Sequence, residues 1–252
     1  MDQQTRHDRI LDRLEEVEQI TVTELAALLD ASEPTVRRDL LDLDKRGRLR
    51  RVHGGARRST LRTREAPYSA RAVSSGEAKR RMAAAVASRL SPGESLLLDS
   101  GTSCLEVAHA IEQQDLRVMP LSLAAANALA EAPRIRLSLP GGDVRPGEGS
   151  FVGPAAEESV RRFRFDTAVI SGCGFSMIDG VTAYDIGDAA VKMAAVRSAA
   201  RSILVCDAAK WGTVAFAWAA HVREFAMIVT DHEPTDDERD LAERHDVEFV
   251  IV

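Results

Sequence analysis

The chain has 252 residues, 45% of them hydrophobic and 4% aromatic, with a formal net charge of −6. That length suits one large domain or a small one beside a medium one, and so few aromatics leave no stacking platform for single-stranded nucleic acid. Cys104, Cys173 and Cys206 are widely separated, with neither a metal-ligand spacing nor a disulfide framework, and no segment reads as a signal peptide or as the roughly 18-residue apolar run of a membrane span. The expectation is a cytoplasmic protein without metal or membrane anchor.

The charge is unevenly placed. Residues 1–72 carry a net +2 and residues 73–252 a net −8, while Lys45 to Arg64 holds nine basic residues and no acid. A basic segment on an acidic protein points to a nucleic-acid module joined to something else.

In chain order, Ile10, Leu14 and Val17 recur at helical spacing. Thr21-Val22-Thr23-Glu24 fits a capping box that opens a second short helix, running to about Leu29. Only Asp30, Ala31 and Ser32 separate it from a third helix, the short connection of a helix-turn-helix. Ser32 is a good N-cap and Pro34 falls in the first turn, where its missing N–H costs little. Val36, Leu40 and Leu43 form one apolar stripe, and at about 100° per residue Arg38 points away from it, flanked by Thr35 and Arg37. An ordinary solvated surface helix has the same local pattern. The segment that follows tips the balance: Arg48, Leu49, Arg50, Arg51, Val52 and His53 alternate apolar and basic positions before the break at Gly54-Gly55. That is a small basic hairpin beside the helix, a winged helix-turn-helix, with Ser32, Thr35, Arg37, Arg38, Arg48, Arg50, Arg51 and His53 as candidates for contact with double-stranded DNA.

Residues 59–75 read as a polar linker between a DNA-binding domain over 1–58 and a second domain over 76–252. There, short apolar runs at 95–99, 116–121, 135–139, 167–171, 203–206, 225–230 and 247–252 alternate with Ala-rich or amphipathic segments. This predicts an α/β, Rossmann-like fold with a mainly parallel sheet. Polar or glycine clusters follow five of the runs: Asp99-Ser100-Gly101-Thr102-Ser103, Ser122, Gly141-Gly142-Asp143, Ser171-Gly172-Cys173-Gly174 and Asp207-Ala208-Ala209-Lys210. Each can be a routine turn, but parallel strands would gather all five at the sheet's ligand-binding edge. Ser100–Ser103 can surround an anion at a helix N-terminus, yet it lacks the lysine of a P-loop, and Gly172-x-Gly174 lacks the third glycine of a dinucleotide fingerprint because Met177 stands there. No nucleotide cofactor is expected. Only four of the basic residues are lysine, Lys45, Lys79, Lys192 and Lys210, so a lysine can mark a site that needs a compact ammonium. For Lys192 an ion pair with Asp188 one turn away is an equal reading.

The segment T-E-L-A-A-L-L-D-A-S-E-P-T-V-R-R-D-L-L-D-L, followed by G-R-L-R-R-V-H-G-G-A, resembles the N-terminal domain of the DeoR family of bacterial sugar-metabolism repressors. D-S-G-T-S, the Gly141-Gly142 pair, F-V-G-P at 151–154, A-A-V-K at 189–192 and D-A-A-K at 207–210 are similar to motifs of that family's sensor domain. The resemblance implies a fold similar to phosphosugar isomerases and a phosphorylated sugar as effector. It also implies Gly101, Thr102 and Ser103 on phosphate or sugar oxygens, and Asp99, Asp207 and Lys210 on hydroxyls or charge. Ser100, Ser122, Gly141, Gly142, Gly174 and Lys192 complete the candidate effector site. Two departures, Pro120-Leu121-Ser122 for the usual Thr-Asn-Ser and D-A-A-K for D-x-S-K, remove polar groups near that ligand. The expected protein is a transcriptional regulator, most simply a repressor, acting as a homo-oligomer (a dimer or higher). The alternatives are an isomerase-like enzyme using Asp99, Asp207 and Lys210, or a DNA-binding protein whose second domain only oligomerises.

Overall fold

A computed structural model describes residues 2–17, 19–45, 48–52, 54–58 and 65–252. The chain divides into two compact units, residues 1–62 and 63–252.

In the first unit α1 (Gln3–Glu16) is capped by Asp2, whose carboxylate accepts the Thr5 N–H at 2.9 Å. A short strand β1 (Gln19–Thr21) leads into α2 (Val22–Leu29), where Thr21 and Glu24 form the expected reciprocal cap. Asp30 reverses the chain in the left-handed region (φ 48°), and α3 (Glu33–Lys45) follows. Two strands, β2 (Leu49–Val52) and β3 (Gly55–Arg58), form the wing, and β1 pairs with β3 as a third strand. Three residues are too few to show alternation, so β1 has no signature of its own in the sequence. Ile10, Leu14, Leu25, Val36, Leu40 and Leu43 pack into one core, so the apolar stripe read on α3 faces inward.

The second unit starts earlier than its hydrophobic pattern implied. Tyr68–Val73 is a helix, α4, and Lys79 Nζ donates to its end at Ser74 O (2.6 Å) and Arg71 O. The part of the linker after Glu65 therefore belongs to this unit, while residues 59–64 lie outside the described residues. Chain order continues through α5 (Gly76–Ala87), β4 (Ser95–Leu98), α6 (Thr102–Ile111), β5 (Leu116–Pro120), α7 (Leu123–Leu129) and β6 (Ile135–Leu137). A hairpin of β7 (Asp143–Val144) and β8 (Phe151–Val152) precedes α8 (Pro154–Arg161) and β9 (Phe165–Ser171). Then come β10 (Gly174–Ser176), β11 (Gly180–Ala183), α9 (Ile186–Arg197), β12 (Ala199–Val205), β13 (Ala217–Ala220), β14 (Met227–Thr230), α10 (Asp236–Arg244) and β15 (Glu248–Ile251).

All seven apolar runs become strands of one parallel sheet, ordered β15-β14-β12-β9-β4-β5-β6. Alternate residues face opposite layers. Leu96, Leu98 and Val169 pack under α5, α6 and α7, while Leu97, Ile170 and Leu204 pack under α8, α9 and α10. Burial on both faces explains why these strands read as continuous apolar runs. The antiparallel sheet β10-β11-β13 was not anticipated, because its short strands, two of them opening on glycine, show no period of two in their burial. Among the described residues no helix is long and apolar enough to cross a membrane.

Candidate functional site

The outward side of α3 is as the spacing implied. Arg38 is exposed, and Arg37 is more than half exposed while pairing with Glu33 one turn earlier at 3.1 Å. Ser32 and Thr35 join their hydroxyls at 2.9 Å, and Ser32 Oγ accepts the Thr35 N–H at 3.4 Å, a long cap. Arg48 and Arg51 are exposed at the wing, and the Arg51 N–H donates to Asp44 at 3.2 Å. His53 and the side chain of Arg50 lie outside the described residues.

What aims this face is a residue the helical stripe did not reveal. Asp39, next to Arg37 and Arg38, is buried and accepts two hydrogen bonds from Arg6 of α1 (2.7 and 3.1 Å) and faces His7 Nε2 at 3.2 Å. A carboxylate on the inner side of an amphipathic helix needs such partners, so its position beside the Val36–Leu40 stripe was the available signal. The glycine pair has a steric cause. Gly54 turns with φ +79°, while a Cβ on Gly55 would stand 2.2 Å from the Ile20 carbonyl oxygen. Only glycine lets the wing close against β1 there.

In the second unit the strand order reverses between β4 and β9, whose carboxyl ends open a crevice. At its base Asp99 is fully buried. Lys192 Nζ donates to both of its oxygens (2.8 and 2.7 Å) and the Ser171 N–H to one (2.8 Å). Asp188 also lies 3.4 Å from Lys192, so the intra-helix pair on α9 and the link to the strand end coexist. Burial works against the Lys192 ammonium, but Asp188 and Asp99 outweigh it and move its pKa upward. Burial raises the Asp99 carboxyl against the pull of Lys192.

The crevice mouth comes from segments that carry no periodic signal. Arg145 and Glu148 lie on the β7–β8 connection, which is tied to the end of β5 by Phe151 N–H to Leu121 O (2.9 Å) and Leu123 N–H to Gly149 O (2.9 Å). Arg145 Nη2 donates to Glu65 at 2.8 Å; Arg71 pairs with the same carboxylate at 3.2 Å and with Glu148. The carboxylates outweigh burial and move both guanidinium pKa values upward. Cys173 donates its thiol to Glu65 at 3.3 Å; burial, then the Glu65 charge, push that thiol up to about 12. These groups, with Ser100, Gly101, Ser150, Ser171, Gly172, Asp188 and Lys192, line a narrow cleft with about 20 Å³ of room. Lys210 reaches its edge, donating to Ser171 Oγ at 3.0 Å.

Of the expected effector residues, Asp99, Ser100, Gly101, Lys192 and Lys210 therefore converge. Gly101 (φ +93°) opens α6 with no side-chain cap, and Thr102 and Ser103 are buried in its first turn. Ser103 Oγ and Ser150 Oγ are buried with no hydrogen-bond partner among the described residues. Asp207 is buried at the start of the turn that carries Lys210, its carbonyl accepting the Lys210 N–H. Four further expected residues stand apart from this convergence, each with a local structural role. Ser122 caps α7, accepting the Ala125 N–H at 3.3 Å, and meets the cleft only through its bridge to Ser150. Gly141 holds a left-handed turn (φ +74°), and Gly142 is pressed against the Val152 carbonyl and Ala156. A Cβ on Gly174 would stand 2.2 Å from the Thr213 carbonyl oxygen. Close backbone approach requires glycine at both Gly142 and Gly174.

Two family models match the chain: a DeoR-like helix-turn-helix domain over residues 6–61 and a DeoR C terminal sensor domain over 74–232. The HTH-type transcriptional repressor CsqR of Escherichia coli K12 is 33% identical over 230 residues, 91% of this chain and 88% of that protein. The glycerol-3-phosphate regulon repressor of the same organism is 29% identical over 93% of each chain. Among solved structures, ribose 5-phosphate isomerase A from Methanocaldococcus jannaschii aligns over 55% of each chain with a TM-score of 0.42 and 12% identity.

Proposed function

The chain belongs to the DeoR family of DNA-binding transcriptional repressors of sugar metabolism, and from that premise we propose that a phosphorylated sugar bound in the β4–β9 cleft is its effector. The observation that carries this reading is the conjunction, at one switch point, of an uncapped helix N-terminus at Gly101 with Arg71, Arg145, Lys192 and Lys210. First-turn amides and compact cations are what a phosphate requires, and buried hydroxyls at Ser103 and Ser150 suit sugar oxygens. A similar protein is named as the repressor of a glycerol-3-phosphate regulon. Asp99 and Lys192 position the cleft's strand ends. Asp99 is held by Lys192 and the Ser171 N–H, which leaves it unsuited to act as a base, in keeping with a repressor that is not an enzyme.

On the first unit, Arg38, with Thr35 and Arg37 beside it, reads bases in the major groove of double-stranded operator DNA, and the wing residues Arg48, Arg50, Arg51 and His53 meet the backbone. The protein works as a homo-oligomer, a dimer or higher, whose DNA-competent population falls when effector binds.

A thermal-shift screen tests the effector. Ligand a hundredfold above its dissociation constant contributes about 2.7 kcal/mol, and each kcal/mol raises the melting temperature by roughly 2–4 °C for a domain near this size. A matching sugar phosphate is expected to raise it by about 5–10 °C. Thr102→Ala and Lys210→Ala should abolish the shift and leave DNA binding intact. A neutral sugar that shifts the protein as strongly as its phosphate overturns the reading.

A further inference from the structure

We propose that the Glu65 carboxylate is an internal anion occupying the subsite for the effector's anionic group, and that the effector enters by displacing it. The inference rests on the effector reading above and adds how that site is regulated.

Glu65 is the first described residue of the second unit, and its side chain is only 11% exposed. Its two oxygens meet two guanidinium groups, Arg145 at 2.8 Å and Arg71 at 3.2 Å, with the Cys173 thiol donating at 3.3 Å. Carboxylate and phosphate engage guanidinium through the same paired N–H···O geometry, so the groups that hold Glu65 are equally fitted to a phosphoryl oxygen. With Glu65 in place the cleft has only about 20 Å³ of room, far below the roughly 300–1,000 Å³ of small-molecule sites. Withdrawal of that side chain enlarges it where the ligand's charge would sit.

Charge balance favours exchange over simple addition. Arg71, Arg145 and Lys192 line the cleft against Glu65, Glu148 and Asp188. A dianion added to this balanced set is repelled; one that replaces Glu65 restores most of the balance. Both guanidinium groups keep a second carboxylate when Glu65 leaves, Glu148 for Arg71 and Asp185 at 3.9 Å for Arg145, so the subsite stays aimed. The Ser150 hydroxyl, buried in the lining with no partner among the described residues, is ready for an oxygen that Glu65 does not supply.

The location gives displacement a consequence. Residues 59–64 alone separate Glu65 from the wing strand ending at Arg58. Release of the carboxylate therefore untethers the end of the connection to the DNA-binding unit, and a filled cleft reaches that connection without a longer relay.

The test uses the full chain and inorganic phosphate as the probe, titrated calorimetrically in chloride buffer. Removing an internal competitor that occupies the site about nine-tenths of the time tightens apparent binding about tenfold. Glu65→Gln should show that gain, Glu65→Ala the same gain, and Arg145→Ala loss of binding. In hydrogen exchange, phosphate should speed amide exchange over residues 65–73 in the wild type, while Glu65→Gln exchanges fast from the start and does not respond. Equal or weaker phosphate binding by both Glu65 variants overturns the proposal, as does unchanged exchange over 65–73. Phosphate binding to none of these proteins also overturns it. A sugar phosphate that then shifts the melting temperature of wild type and Glu65→Gln alike leaves the effector reading standing without this subsite.

Discussion

Each unit buries an aspartate against cations, and the two use it in opposite ways. Asp39 sits inside one helix and ties it to Arg6 and His7 of another, so that the functional side chains on α3 face outward. Asp99 sits at a strand end and ties β4 to β9 and α9 through Ser171 and Lys192, so that functional groups gather inward. The first arrangement serves a surface that must fit a groove; the second shapes the cleft proposed for the effector's anionic group. An outward site needs only one well-aimed element. An inward site needs several, brought together by topology.

The comparison breaks most sharply at Lys192. Lys192→Ala leaves Asp99 and Asp188 buried without their counter-charge, and removal of one partner from a buried ion pair costs about 3–5 kcal/mol. Calorimetry should show the second unit's transition falling while that of the first stays in place. A drop in both would mean that the units do not unfold independently.

Asp39→Asn is the matching test in the first unit. It weakens a buried charged hydrogen-bond network, at about 1–3 kcal/mol, and should lower only the first transition. Specific DNA binding should fall as well, even where the unit remains folded, because α3 loses its tie to α1. Unchanged binding under those conditions would reduce Asp39 to a stability role.

Arg38→Ala leaves the fold alone and should cost about 1–3 kcal/mol of specific binding, with specificity relaxed at one position. Equal loss on operator and random duplex would assign Arg38 to the backbone. The smallest effect is expected at the wing. Arg51→Ala should weaken all sequences alike and reduce the slope of log affinity against log salt by about one, measured by mobility shift across several salt concentrations.

Much of this molecule was legible in the sequence, and for a definite reason. The helix-turn-helix is built from contacts close in the chain, so a capping box at Thr21–Glu24, a three-residue turn and the Val36–Leu40–Leu43 stripe suffice to draw it. The seven parallel strands were legible too, because burial on both faces makes each a continuous apolar run. The five strand-end clusters followed from that alternation, and Ser100, Gly101, Ser171, Lys192 and Lys210 indeed meet.

What only the tertiary structure decided is which strand ends are neighbours and what closes over them. The order β9-β4-β5 makes Asp99 and Ser171 adjacent and leaves Gly141 and Gly142 to a hairpin. Nothing periodic marks Glu65, Arg71, Arg145 and Glu148, which come from loops or a single short helix. Their meaning lies in ion pairs spanning up to 80 positions of chain. A local pattern records which face of an element is buried; it does not record which distant charge will neutralise a side chain. That pairing is set by the strand order and the hairpin's return over the sheet edge, and it turns an apparent polar linker residue, Glu65, into part of the site.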